Sequence, residues 1–166
     1  MRRRAFLSSL TRTATVCGLV ATTGCLAELQ TTFGGESGPI AAREFTVVEP
    51  ASDDFDAAPA VEEPPRVSFD NSRYRVQVVG RLHVGSGTCD EAKLVGASHD
   101  ADSDLLHLTV GSGQKRDPPD YCTADESVDA YRATITFEER LPGRVLARER
   151  GHLLGTETTV ERPTAE

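Results

Sequence analysis

From Arg66 onward, apolar residues recur at alternate positions, the period of a strand with one buried face. Val67 and Phe69 run into the turn formers Asp70-Asn71-Ser72. Tyr74, Val76 and Val78 then point one way, and Arg73, Arg75 and Gln77 the other. Gly80 predicts a bulge that shifts the phase, after which Leu82 and Val84 take over. Ala92 and Leu94 lead to an acidic turn, His99 to Asp104, and Leu106, Leu108 and Val110 return from it. The clearest strand carries Tyr131, Ala133, Ile135 and Phe137 inward, with Arg132, Thr134 and Thr136 facing water. Leu141-Pro142-Gly143-Arg144 predicts a type II turn feeding Val145 and Ala147. Upstream, Glu44 to Glu49 reads as a first strand. Pro50 to Pro65, acidic and punctuated by proline, reads as a loop or edge crossing.

About seven short strands with frequent turns, and no amphipathic helix of useful length, predict an all-β fold: a single antiparallel β-sandwich. The expected organisation is an export signal over 1–24, a flexible tether over 25–42, the sandwich over 43–158 and a polar tail over 159–166.

The N-terminal residues carry an address. Arg2, Arg3 and Arg4 precede Phe6 and Leu7, and a modest apolar stretch follows from Ala14 to Ala21. A charged start, a short apolar run and small residues before a processing point make an export signal. Paired arginines point to the route that exports folded proteins. Thr22-Thr23-Gly24-Cys25 resembles a lipoprotein processing box, with lipid attachment expected at Cys25. Arg12 and scattered Ser and Thr make the segment too polar for a span, which wants about 20 mostly apolar residues. Cleavage nearby, for instance after Ala27, is the alternative that would release a soluble protein. The expected location is therefore extracytoplasmic, on the outer face of the cell membrane, with membrane lipid as partner through Cys25.

Four cysteines are present; Cys17 leaves with the signal and Cys25 takes the lipid. Cys89 and Cys122 remain, an even pair in an oxidising compartment, which predicts a disulfide. In the chain-entropy picture a loop of about 34 residues is worth roughly 3.5–4 kcal/mol. Zinc competes poorly, because the sequence has no C-x-x-C and no His close to either cysteine.

Charge narrows the partners. Of the 18 basic residues four lie in the signal and no acid does, so the remainder carries 26 acids against 14 bases, a net charge of −12 rather than −8. Only Lys93 and Lys115 are lysines. Such acid excess suits a protein kept soluble in concentrated salt, where the screening length is about 3 Å. No basic cluster with interleaved aromatics occurs outside the signal, so nucleic acid is not expected as a partner.

Several segments together resemble a group of small, functionally uncharacterised secreted proteins and lipoproteins of haloarchaea with twin-arginine export signals. They are Phe45 to Val47, Val76 to Gly80, Cys89 with Ala92 and Leu94, Asp104 to Val110, Cys122, Tyr131 to Phe137 and Leu141 to Val145. The resemblance covers residues 43 to 151 and implies a fold and a salt-loving origin, but no activity. Some members of the group carry a further cysteine pair, in the first loop and beside the distal cysteine. This chain lacks it, so no site built on that pair carries over.

Candidate chemistry is sparse. Asp100, Asp102 and Asp104 alternate as in a calcium loop, but the sixth position is Leu105 and the twelfth Gly111, where that loop needs Gly and Glu. They are weak metal candidates at most, and a solvated hairpin tip fits them better. His83 and His107 should both face outward, near one another across a sheet, without a third ligand. Val84-Gly85-Ser86-Gly87 and Val110-Gly111-Ser112-Gly113 repeat a tetrapeptide that is not a nucleophile elbow and reads as two loop turns at one end. Asp125, Glu126 and Asp129 should be solvated. No acid, base and nucleophile converge, so neither catalysis nor a cofactor is expected. The reading is a non-catalytic envelope module contacting a protein or glycan through the loops Gly85 to Thr88 and Gly111 to Thr123. The alternative is an ion- or small-ligand-binding accessory lipoprotein of a transporter or envelope enzyme. It would use the 99–104 turn and the outward histidines.

Overall fold

Eight strands form where the alternation is strongest: β1 (Ile40–Val48), β2 (Arg66–Asp70), β3 (Arg75–Gly85), β4 (Asp90–Asp100), β5 (Leu105–Gln114), β6 (Ser127–Phe137), β7 (Arg144–Arg150) and β8 (Glu157–Glu161). The structure, a computed structural model, describes residues 40–50 and 52–164. The export signal with Arg2, Arg3, Arg4, Phe6 and Leu7, the lipid-attachment residue Cys25 and most of the tether lie outside the described residues.

Two four-stranded sheets pack face to face, in the orders β1-β6-β3-β2 and β4-β5-β7-β8. The architecture is the expected all-β sandwich. All pairings are antiparallel except β5 with β7, which run parallel in register from Leu105↔Arg144 to Gly111↔Arg150. The parallel pair follows from connectivity: the chain crosses to the first sheet for β6 and returns, so β7 arrives in the direction of β5. Inward positions close a continuous core of Val76, Val78, Leu82, Val84, Leu106, Leu108, Val110, Tyr131, Ala133, Ile135, Val145 and Ala147. Burying each larger aliphatic chain contributes about 1.5–3 kcal/mol, which makes this face the main source of stability. Phe45 stacks on Tyr131 at 5.6 Å between ring centres and extends the core under β1.

The proline-punctuated crossing holds one helical turn, α1 (Asp53–Asp56), capped by the Ser52 hydroxyl, which accepts from the Phe55 amide at 3.2 Å. It puts the Phe55 ring 4.3 Å from the Arg81 guanidinium, whose Nη2 donates to the Phe55 carbonyl.

Several sequence expectations give way here. Gly80 is no bulge: Val76, Val78, Gly80, Leu82 and Val84 stay in one phase and all are buried. Gly80 keeps its register opposite Tyr131, and the break in β3 comes later, between His83 and Gly85. A real bulge lies in β4 between Leu94 and Gly96. It flips the strand, so Ala92 points inward before it and His99 after it. The second tetrapeptide, Val110 to Gly113, belongs to β5 rather than to a turn. Gly143 lacks the positive φ of a type II turn. Its amide donates to the Asp104 carboxylate at 2.9 Å instead of closing on its own segment. The body also reaches further than expected at both ends: β1 begins at Ile40, and β8 takes in residues 159–161 of the expected tail.

Candidate functional site

The two ends of the sandwich are built differently. At one end lie the tight turns 71–74 and 101–104 and the segment 138–143. There the Asp70 carboxylate accepts from the amides of Ser72 and Arg73, at 3.1 and 3.2 Å, and from the Ser72 hydroxyl. Asp100 accepts in the same way from the Asp102 and Ser103 amides and, at 2.6 Å, from the Ser103 hydroxyl. Both turns end on a residue with positive φ, Tyr74 at 51° and Asp104 at 48°. These donors hold both carboxyls below the usual range, the Ser72 hydroxyl being the largest cause for Asp70 and the Ser103 hydroxyl for Asp100.

This geometry separates the three aspartates weighed as a cation loop. Asp100 folds back on its own turn, Asp102 is exposed, and Asp104 turns away toward β4 and the 138–143 segment. There its Oδ1 lies 3.2 Å from Nε2 of His99 and 3.7 Å from Nη2 of Arg140. His99 is 4 % exposed and meets the edge of Phe137 at 5.7 Å. Among the described residues no three His, Cys, Asp or Glu side chains group as metal ligands would. His83 and His107 face outward, but from different sheets, so they cannot meet across one.

The opposite end is made of three segments, 86–89, 115–126 and 151–155, of which 115–126 is the long one. Gly85, at φ 94°, turns the chain where a Cβ would stand 2.9 Å from the Asp90 carboxylate. That carboxylate accepts from the Ser86 amide at 3.1 Å. Cys89, buried, bonds to Cys122, exposed, and fastens 115–126 to the sandwich. The Lys115 amide donates to the Cys89 carbonyl and its Nζ to the Gly87 carbonyl, each at 2.6 Å. The hydroxyls of Ser86, Thr88 and Thr123 form a triangle with sides of 3.0, 3.2 and 3.1 Å, and Thr123 also donates to Asp125. The 151–155 tip joins through the His152 amide, which donates to the His83 carbonyl at 2.8 Å. Tyr121 (89 % exposed), Leu153 (56 %) and Leu154 (45 %) project from this end into solvent. Isolated exposed apolar residues are ordinary; several on one loop end suggest contact.

Asp129 corrects the expectation of a solvated group. It sits on β6 and accepts from the Ala92 amide at 2.8 Å, and burial pushes its carboxyl up. Glu149 went unread in the sequence: it is 3 % exposed and lies between the sheets facing Tyr131. Extending the alternation of Val145 and Ala147 by one step would have pointed it inward.

Two shallow grooves open on the surface. One, of about 530 Å³, runs between the edge strands β2 and β8 past Pro65, Val67, Val79 and Val160. The other, of about 360 Å³, borders Arg148, Thr156 and Glu157. Neither is lined by a histidine or a cysteine. Set beside known proteins, this chain matches no family model, no curated protein and no solved structure.

Proposed function

We propose that this is an exported cell-envelope protein, anchored by lipid on Cys25, whose sandwich binds a partner through its loop end without catalysing a reaction. The observation that carries the reading is the polarity of the body. Ile40, where the tether would join, pairs with Phe137, and Arg162 donates to the Gly143 carbonyl at 2.8 Å, so the chain enters and leaves at the turn end. Tyr121, Leu153 and Leu154 are exposed at the other. The loop end is therefore the one farther from where the chain enters the sandwich, and a partner in the envelope can reach it there. Two exposed leucines and an exposed tyrosine at one end favour a protein surface over a glycan.

Photo-crosslinking residues placed singly at Tyr121 and Leu153, and as controls at Asn71 and Asp102, test this on intact cells. The reading predicts one recurrent adduct from the loop end and none from the turn end. Equal labelling from both ends, or adducts from the turn end alone, would overturn it.

A further inference from the structure

Among the described residues, Glu149 is the only carboxylate in the buried core. Room for it comes from Gly80: a Cβ there would collide with Glu149 Oε1 and stand 2.6 Å from the Tyr131 hydroxyl. Neither oxygen makes a hydrogen bond, and the two face each other across the space that a Cβ at Gly80 would fill. The other carboxyl oxygen, Oε2, accepts from the Thr156 hydroxyl, while the Glu149 amide donates to the Thr156 carbonyl at 2.7 Å. One side chain therefore joins both legs of the β7–β8 hairpin and faces β6, just below the 151–155 tip.

No cation compensates it. From β3 only the Arg81 amide faces the carboxyl, since the Arg81 guanidinium turns outward onto Phe55. From β6 the facing group is Tyr131, and the residue paired with Glu149 on β5 is apolar Val110. On β7 itself, Arg148 and Arg150 lie on the exposed face, Arg148 paired with Glu157 at 2.8 Å. A charge here is buried without a partner of opposite sign, which disfavours it strongly.

We propose that Glu149 is a proton-dependent latch: protonated, it holds the β7–β8 hairpin closed; ionised, it lets β8 and the 151–155 tip detach while the rest of the sandwich stays folded. Burial pushes its carboxyl up and outweighs the donors Thr156, Tyr131 and the Arg81 amide, which pull it down. The sign follows: a folded value above the unfolded one, about 4.3, gives stability that is complete below the unfolded value. It is lost as pH rises through the folded one. Asp70 and Asp100 act in the opposite direction. The latch stands whether or not the loop end binds a partner; if it does, the latch makes that binding pH-dependent.

Hydrogen exchange of the whole folded protein across pH, read against a carbon-13 titration of the Glu149 carboxyl, tests it. Between the open-state value, about 4.3, and the Glu149 midpoint, protection of the β8 amides should fall about tenfold per pH unit and level off above it, while β1 and β6 hold theirs. Glu149→Gln should abolish that dependence. Should it not fold, Tyr131→Phe decides: it removes a donor, so the Glu149 midpoint and the pH at which β8 protection levels off should move together to higher pH. Protection of β8 that is flat between pH about 4.3 and the midpoint, loss shared equally by all strands, or a midpoint that moves without the levelling-off would each overturn the latch.

Discussion

At the turn end, carboxylates cap backbone a few residues away: Asp70 and Asp100 each satisfy the turn that follows them. At the loop end, the fastenings join segments far apart in sequence, with Cys89 bonded to Cys122 and Ser86 and Thr88 both meeting Thr123. Local caps, with Asp104 joining the 138–143 segment across the fold, leave little chain free, and Tyr74 (44 % exposed) is the exposed large apolar side chain at the turn end. Long-range fastenings let three segments of four to twelve residues project while held, and those segments carry the exposed Tyr121, Leu153 and Leu154. One end is built to be finished, and the other to present side chains.

That contrast can be broken most forcefully at the disulfide. Cys89→Ser with Cys122→Ser should cost roughly 3.5–4 kcal/mol in denaturant unfolding. Exchange should rise first in 115–126 and leave the turn end unchanged. Next comes Asp104, whose carboxylate accepts from the Gly143 amide and whose carbonyl accepts from the Arg144 amide at 3.1 Å. Asp104→Ala should cost about 1–3 kcal/mol in the same unfolding measurement. Asp104→Asn should recover part of it, because Asn tolerates the positive φ.

Acid sharpens the comparison further. Asp70 and Asp100 are held below the usual range, so the stability they add is present above the unfolded value and lost as pH falls through the folded one. A pH series of thermal melts should show an acid limb that flattens in the Asp70→Asn, Asp100→Asn double variant. The loop end should contribute little to that limb. Smallest in stability is Leu153→Ser with Leu154→Ser, expected to stay within about 0.5 kcal/mol of the parent in denaturant unfolding. The same change should remove the adduct formed from Tyr121.

The strand faces were legible because one buried face imposes a period of two, and β3, β5, β6 and β7 keep it almost unbroken. Where the reading slipped, a tertiary contact had overridden a local signal. Gly80 looked like a bulge because glycine usually marks one, yet it is small to admit Glu149 and Tyr131, which lie on strands 50 to 70 residues away. The β4 bulge lies between Leu94 and Gly96, and Gly96 was the local signal that went unread, so His99 was not expected to turn inward. Gly143 was read from its neighbours alone, whereas its amide answers to Asp104 across the fold. Residues 159–161 looked like tail because β8 is short and charged, as an edge strand that must resist pairing often is. Of the candidate site, the cysteine pair and the loops it joins were readable. The leucines of the 151–155 tip were not, since exposure depends on what fails to cover them.

The central claim is that a disulfide-fastened sandwich hangs from a lipid. The intact mass of the protein extracted by detergent from its own membrane, with and without reduction, tests it most directly. A chain beginning at Cys25, carrying a lipid and gaining two hydrogens on reduction, is the predicted result. A lipid-free mass beginning beyond Cys25, or one that keeps residues 1–24, would contradict it.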